Sequence, residues 1–303
     1  VLIVGAGFAG MYMLHKCRQL GLSTRVFEVG KGVGGTWYWN RYPGARCDVE
    51  SVQYSYQFDT ELEQEWTWSE KYSTQPEILR YANHVADRFD LRDNIQFETR
   101  VISAEYSEAD KLWVLETDRN EKVSSRYCVF ATGCLSSSNV PKFEGYETFK
   151  GLSYHTGRWP HEGVDFSGLR VGVIGTGSSA IQSIPEIAKE ASQLTVFQRT
   201  ANYTIPARNS ELTEDYVSSI KADYPGLRER ARNKPAGYDI PLNSQSVLEV
   251  GREDANIEFQ RRWELGGTQF LGAYGDLLLN PDANEFAADF VKRKIREIVS
   301  DPE

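Results

Sequence analysis

Apolar residues open the chain as a short run, Val1 to Val4, and then recur at helical spacing from Met11 to Leu20, at Met11, Leu14 and Cys17, until Gly21 stops the pattern. Thr24-Arg25-Val26-Phe27-Glu28 reads as a second strand. Strand, glycine turn (Gly5-Ala6-Gly7-Phe8-Ala9-Gly10), helix and strand together occupy about 28 residues, the pattern of a βαβ unit. A loop rich in glycine and aromatics follows, from Gly30 to about Tyr56. Gln75 to Phe89 has a helical apolar face made by Ile78, Leu79, Ala82, Val85, Ala86 and Phe89. Residues 95 to 131 read as short β-runs broken at Asp110-Lys111 and Asp118-Arg119-Asn120, and the stretch ends in Tyr127 to Gly133, expected as a buried strand with a small-residue end. Ser136-Ser137-Ser138-Asn139-Val140-Pro141 is the candidate domain boundary.

After that boundary the opening pattern returns. Arg170 to Ile174 is a strand, Gly175-Thr176-Gly177-Ser178-Ser179-Ala180 a glycine turn, Ile181 to Ala191 a helix that tolerates Pro185, and Leu194 to Arg199 the next strand. From about Ala207 onward helical patterns dominate without a strand signal. The clearest helix spans residues 282 to 299, with Asn280 as N-cap, Pro281 at the first helical position and an apolar stripe of Phe286, Phe290, Val291, Ile295 and Ile298.

Composition narrows the classes. Among 303 residues, 34 Lys and Arg against 43 Asp and Glu leave a net charge of −9, which argues against a general nucleic-acid binder. No apolar run is long enough for a membrane-spanning helix, and no signal peptide is visible in these residues. The four cysteines form no C-x-x-C pair and the four histidines show no zinc spacing, so we expect no metal, reduced thiols and a cytoplasmic setting. The first strand is short and has no Met before it, and the second glycine unit has no returning strand; we therefore expect sequence to be missing at both ends.

The first glycine turn has the dinucleotide spacing. Gly5 permits the tight turn, Gly7 lets backbone approach a pyrophosphate, and Gly10 lets the helix pack close to the strand. Glu28 ends the second strand, where a carboxylate can accept hydrogen bonds from ribose hydroxyls. The second turn ends in Ala180, and its second strand ends in Gln198-Arg199-Thr200 with no acid. An arginine there can pair with a 2′-phosphate, which points to NADPH at the second unit and a different dinucleotide at the first. Two such units suggest a flavoprotein, FAD at one and NADPH at the other, with hydride passing between them.

Two further segments carry a resemblance. Gly34, Gly35, Trp37, Arg41, Tyr42, Pro43, Gly44 and Asp48 are similar to the G-G-x-W-x-x-x-R-[YF]-P-G-x-x-x-D segment of Baeyer–Villiger monooxygenases. Phe149, Gly151, His155, Trp159 and Pro160 fill the F-x-G-x-x-x-H-x-x-x-W-P fingerprint of that family, immediately before the second glycine turn. The chain looks most similar to the phenylacetone and steroid monooxygenase branch, over its whole length. Flavin-containing and N-hydroxylating monooxygenases resemble the layout but usually lack the Trp-Pro ending, and a disulfide oxidoreductase would need the absent C-x-x-C pair.

The resemblance implies an α/β fold of two Rossmann-like dinucleotide-binding domains, for FAD and NADP, with a helical insertion. Residues 1–135 would be the FAD-binding part, 136–168 the linker, 169–207 the NADP-binding part and 208–303 the insertion. It implies that Gly5, Gly7, Phe8, Gly10, Glu28, Gly35, Thr36, Trp37, Trp39, Arg46, Cys47, Asp48, Tyr54, Val101 and Cys134 line FAD. Gly175, Thr176, Gly177, Ser178, Ser179, Ala180, Gln182, Arg199 and Thr200 would form the NADP site, and Arg46 and Asp48 would also stand where nicotinamide meets flavin. Asp48 is the expected catalytic residue, a carboxylate that orients the nicotinamide and a nearby cation. The family's cation, an Arg, lies in a stretch that these residues do not contain. In the family, reduced flavin and O2 give a C4a-peroxyflavin, whose deprotonated peroxide attacks a ketone to yield an ester or lactone. His155 is expected to hold the linker rather than act as a base, and Trp66 and Trp68 to pack. The alternatives are an N- or S-oxygenating flavin monooxygenase and an inactive nucleotide-binding fragment.

Overall fold

In the computed structural model, residues 1–200 and 202–300 are described. Along the chain run β1 (Leu2–Val4), α1 (Phe8–Gln19), β2 (Arg25–Phe27), α2 (Thr36–Trp39), α3 (Thr60–Glu65), α4 (Gln75–Arg88), β3 (Ile95–Gln96), β4 (Val101–Ser107), β5 (Leu112–Thr117), β6 (Lys122–Ser125) and β7 (Cys128–Phe130). They are followed by β8 (Arg170–Ile174), α5 (Ser178–Glu190), β9 (Gln193–Phe197), α6 (Glu214–Ala222), α7 (Tyr224–Arg232), α8 (Arg252–Leu265) and α9 (Pro281–Ile298). Both glycine-turn helices start three residues earlier than the apolar spacing suggests, because the turns themselves enter the first helical turn. The expected loop after Glu28 is also interrupted, by α2 and by a 3-10 turn at Ser51–Gln53. The expected helical segment runs to residue 303, and its last three residues lie outside the described ones.

The backbone divides into two compact units, one of residues 1–45, 74–171 and 182–194, the other of residues 46–73, 172–181 and 195–303. In the first unit a parallel sheet has the order β3-β2-β1-β7. Side chains alternate across it, so Ile3 and Val26 face one way and Leu2 and Phe27 the other. Ile3 and Val26 pack with Met11 and Leu14 of α1 and Ala82 and Ala86 of α4. Leu2 and Phe27 pack with Leu115 of β5, so the antiparallel sheet β4-β5-β6 covers the opposite face. The strand breaks fall where the sequence places them, with Lys111 and Asn120 in left-handed backbone.

The second unit holds a helical core. Phe259 and Trp263 of α8, Phe270, Tyr274, and Phe290 and Val291 of α9 form one buried cluster, with the Phe259 ring 5.5 Å from Phe270 and 5.6 Å from Phe290. Asn280 caps α9 by accepting the Asp282 N–H, and Pro281 occupies its first turn. Strands β8 and β9 hydrogen-bond to each other. Among the described residues no helix is long and apolar enough to cross a membrane.

Candidate functional site

The first glycine turn is built by backbone crowding. A Cβ on Gly10 would lie 1.9 Å from Gly5 O, and one on Gly5 would lie 2.5 Å from Ala131 O. Gly5 also adopts a φ of 103°, open to glycine without strain. The helix α1 therefore leaves the strand ends at contact distance, and its N-cap, Gly7, carries no side-chain hydrogen bond. Gly35 then closes on the same turn, since a Cβ on Gly35 would stand 2.9 Å from Gly7 Cα. A cradle this tight in backbone, at an uncapped helix N-terminus, fits a pyrophosphate.

Glu28 is buried beside this turn. Its Oε2 accepts the Ala6 N–H and its Oε1 the Gly30 N–H, each at 2.7 Å. The carboxylate thus locks strand end to glycine turn, and each oxygen retains a lone pair for a ribose hydroxyl. Of the aromatics on α2, Trp37 is buried and its carbonyl accepts from Gln75 Nε2, whereas Thr36 and Trp39 are exposed. The Tyr38, Trp39 and His161 rings meet edge to face, with centroids 4.9 to 5.9 Å apart. Arg41 lies over the Tyr38 ring and donates to Tyr38 O at 2.8 Å. Phe8 is half-buried at the start of α1, Val101 opens β4, and Cys134 is exposed just beyond β7.

The first unit also contains Gln182, on α5. Its Oε1 accepts the Tyr42 hydroxyl at 2.9 Å, and a Cβ on Gly44 would stand 2.3 Å from Gln182 O. The Tyr42-Pro43-Gly44 motif is therefore seated on the helix of the second glycine turn. In the linker, His155 Nδ1 accepts the Gly157 N–H at 3.0 Å, which leaves Nε2 to donate to Asn139 O at 3.3 Å. Both ring nitrogens hold the linker, and Trp159 is buried against Tyr154 and Phe166.

In the second unit the turn Gly175 to Gly177 is open, with nothing within 4 Å of a Cβ placed on either glycine. Gln198 Nε2 donates to Thr176 Oγ1 at 3.1 Å, so the strand end that carries Arg199 and Thr200 is tied to the turn. Arg199, Thr200, Gly177 and Ser178 are exposed, and Ser179 and Ala180 are half-buried at the start of α5. Asp48 is exposed, while Arg46 beside it pairs with Glu70 at 3.3 Å. Cys47 is buried, and that burial pushes its thiol up to about 11, so it stays protonated at neutral pH. Tyr54 ends the 3-10 turn, its N–H donating to Glu50 O and Ser51 O. Trp68 is buried, with the Trp66 ring 5.6 Å away, as packing residues. The sequence reading missed Gln53, Ser55, Glu63 and Arg228, which order the chain around Tyr54. Arg228 stands beside Arg230 and Arg232 in a charged helical stretch, so no sequence signal singled it out.

Comparison with known proteins identifies the family of the chain. The family model described as pyridine nucleotide-disulphide oxidoreductase matches residues 2–259. A Baeyer–Villiger monooxygenase of Pseudooceanicola batsensis is 43% identical over 303 residues, covering 99% of this chain and 55% of the relative. A phenazine N-monooxygenase of Lysobacter antibioticus is also 43% identical, covering 100% of this chain and 56% of the relative. The structure of an oxidized steroid monooxygenase bound to NADP is 54% identical with a TM-score of 0.94, over 99% of this chain and 58% of that one. The chain thus spans about half the length of the curated relatives it matches. The disulfide chemistry in the family's description finds no C-x-x-C pair in this sequence, and all four thiols are free. The match spans both glycine turns, and the chain belongs to the pyridine nucleotide-disulphide oxidoreductase family, as a homologue of the Baeyer–Villiger monooxygenases.

Proposed function

We propose that the protein is a Baeyer–Villiger monooxygenase, which uses NADPH and O2 to insert one oxygen atom beside the carbonyl of a small ketone and release an ester or lactone. The carrying observation is the backbone cradle of Gly5, Gly7, Gly10 and Gly35 beside a buried Glu28, found in a homologue of such enzymes. Residues 1–135 bind FAD, 136–168 link, 169–207 bind NADP and 208–303 form a helical insertion. FAD, when bound, supplies the redox centre that accepts hydride from NADPH and engages O2.

The chain's own residues prepare that chemistry. Gly7, Phe8 and Gly35 bring backbone to the pyrophosphate, Gly10 lets α1 pack against the strand end, and Glu28 holds the ribose. Thr36, Trp37, Trp39, Arg46, Cys47, Tyr54, Val101 and Cys134 line the flavin. Cys47 contributes shape and main chain, since its neutral buried thiol is a poor nucleophile. Gly175 to Ala180 and Gln182 receive the nicotinamide dinucleotide, and Arg199 with Thr200 binds its 2′-phosphate. Asp48 orients the nicotinamide amide and a neighbouring cation. The protein works in the cytoplasm on soluble ketones.

The equal identity to a phenazine N-monooxygenase favours one second reading, oxygenation of a ring nitrogen. The test supplies the full-length, FAD-loaded protein with NADPH, air and either a cyclic ketone or phenazine. Lactone from the ketone is expected. An N-oxide as sole product would establish the second reading, and peroxide alone from both would overturn both.

A further inference from the structure

The segment after Ala45 is built into the helical residues along its length. Tyr216 donates to Glu50 Oε2 at 3.3 Å, the Lys71 N–H to Ser210 O, and the Leu212 N–H to Ser69 O. The Gln53 amide clasps Asp239, its Oε1 accepting the Asp239 N–H and its Nε2 donating to Asp239 O. At the centre stands Arg228 of α7. Its Nε donates to Glu63 Oε1 at 2.9 Å, Nη2 to Ser55 Oγ at 2.7 Å and Nη1 to Gln53 O at 3.5 Å, and its guanidinium lies over the Tyr224 ring.

The Arg228 and Glu63 side chains are only 10% and 6% exposed. A buried ion pair is no better for stability than apolar residues of the same shape. What a guanidinium adds is a rigid fork, which fixes the directions of several acceptors at once. All three acceptors here lie in residues 53–63, directly after Asp48. One of them, Gln53 O, belongs to the peptide unit that joins Gln53 to Tyr54, and the Tyr54 N–H closes the turn back to Glu50.

We propose that Arg228 is a positioning residue for the Asp48–Tyr54 segment, acting through Gln53, Ser55 and Glu63. The helical residues thereby set where Asp48 and Tyr54 stand. For its chemistry this rests on the monooxygenase reading above. Arg228 touches neither substrate nor cofactor in this scheme.

The test compares the parent with Arg228→Lys and Glu63→Gln in the full-length protein, by hydrogen exchange and by NADPH turnover with a ketone. The amides of residues 49–56 are expected to exchange about tenfold faster in both variants while those of α9 keep the parental rate, since the opening is local. The peroxide released per NADPH should rise several-fold while KM for the ketone holds, because a misplaced Asp48 wastes reduced cofactor. Arg228→Met, which keeps the volume and loses the fork, should behave likewise; if it does not fold, the two conservative variants still decide. Parental exchange at residues 49–56 in both variants would overturn the proposal. So would faster exchange with an unchanged peroxide fraction, the mark of a purely structural pin. A parent that makes no ester would defeat the monooxygenase reading alone, and the exchange result would still decide the positioning.

Discussion

Arg199 stands two residues beyond β9, on the strand end that Gln198 ties to Thr176. A charge-assisted hydrogen bond to a 2′-phosphate contributes about 2 kcal/mol, roughly 30-fold in affinity. Arg199→Ala should therefore raise KM for NADPH by about that factor and leave NADH use nearly unchanged. Equal losses with both cofactors, in steady-state kinetics, would remove Arg199 from the phosphate site. Its type and position were legible in sequence, because the end of a glycine unit's second strand is fixed by local spacing. Cys47 is a different case. Burial, the dominant cause, lifts its thiol from 9.0 to about 11, so folding favours the neutral form. That contribution is fully present below pH 9 and is lost as pH rises toward 11. Urea midpoints should fall between pH 8.5 and 10.5 in the parent and fall less in Cys47→Ala. At pH 8 iodoacetamide should label exposed Cys134 and spare Cys47, as read by peptide mass.

Among the elements, α9 was the most legible, since its cap and its first-turn proline are local signals, but only part of its expected stripe is buried: Phe290 and Val291 are, whereas Ile295 and Ile298 are exposed. Its partners were not. Phe259, 1% exposed on α8, meets Phe270, Tyr274 and Phe290 at ring distances of 5.5 to 5.6 Å. The α8 sequence is studded with charges at nearly every angle, so periodicity gives no clear face for it. Truncating Phe259 to Ala leaves a cavity in that cluster and should cost about 3–5 kcal/mol in chemical denaturation. A loss below about 1 kcal/mol would mean that the cluster is not the core of the helical unit. The helix α2 was hidden for a related reason. Thr36-Trp37-Tyr38-Trp39 has no apolar period, and its turn is closed by Gly34 and Gly35 in left-handed backbone.

For the whole molecule, two glycine turns and a linker fingerprint were enough to read an α/β fold with two dinucleotide units and its family. Each lies within a dozen or so residues, so its physics is local. The membership of residues 46–73 in the helical unit was not legible. It depends on contacts such as Arg228 to Glu63 across 165 positions, and on backbone pairing of Lys71 with Ser210. No periodicity within 46–73 announces such partners. Arg46 to Tyr54 accordingly fold with the helical unit.

The most direct test of the oxygen-insertion reading is turnover of a cyclic ketone by the full-length, FAD-loaded protein with NADPH under ¹⁸O2. The expected product is a lactone carrying one heavy oxygen at the ring position, with the carbonyl oxygen unlabelled and one NADPH consumed per lactone. NADPH consumed with labelled peroxide and unlabelled ketone as the only outcome would contradict it.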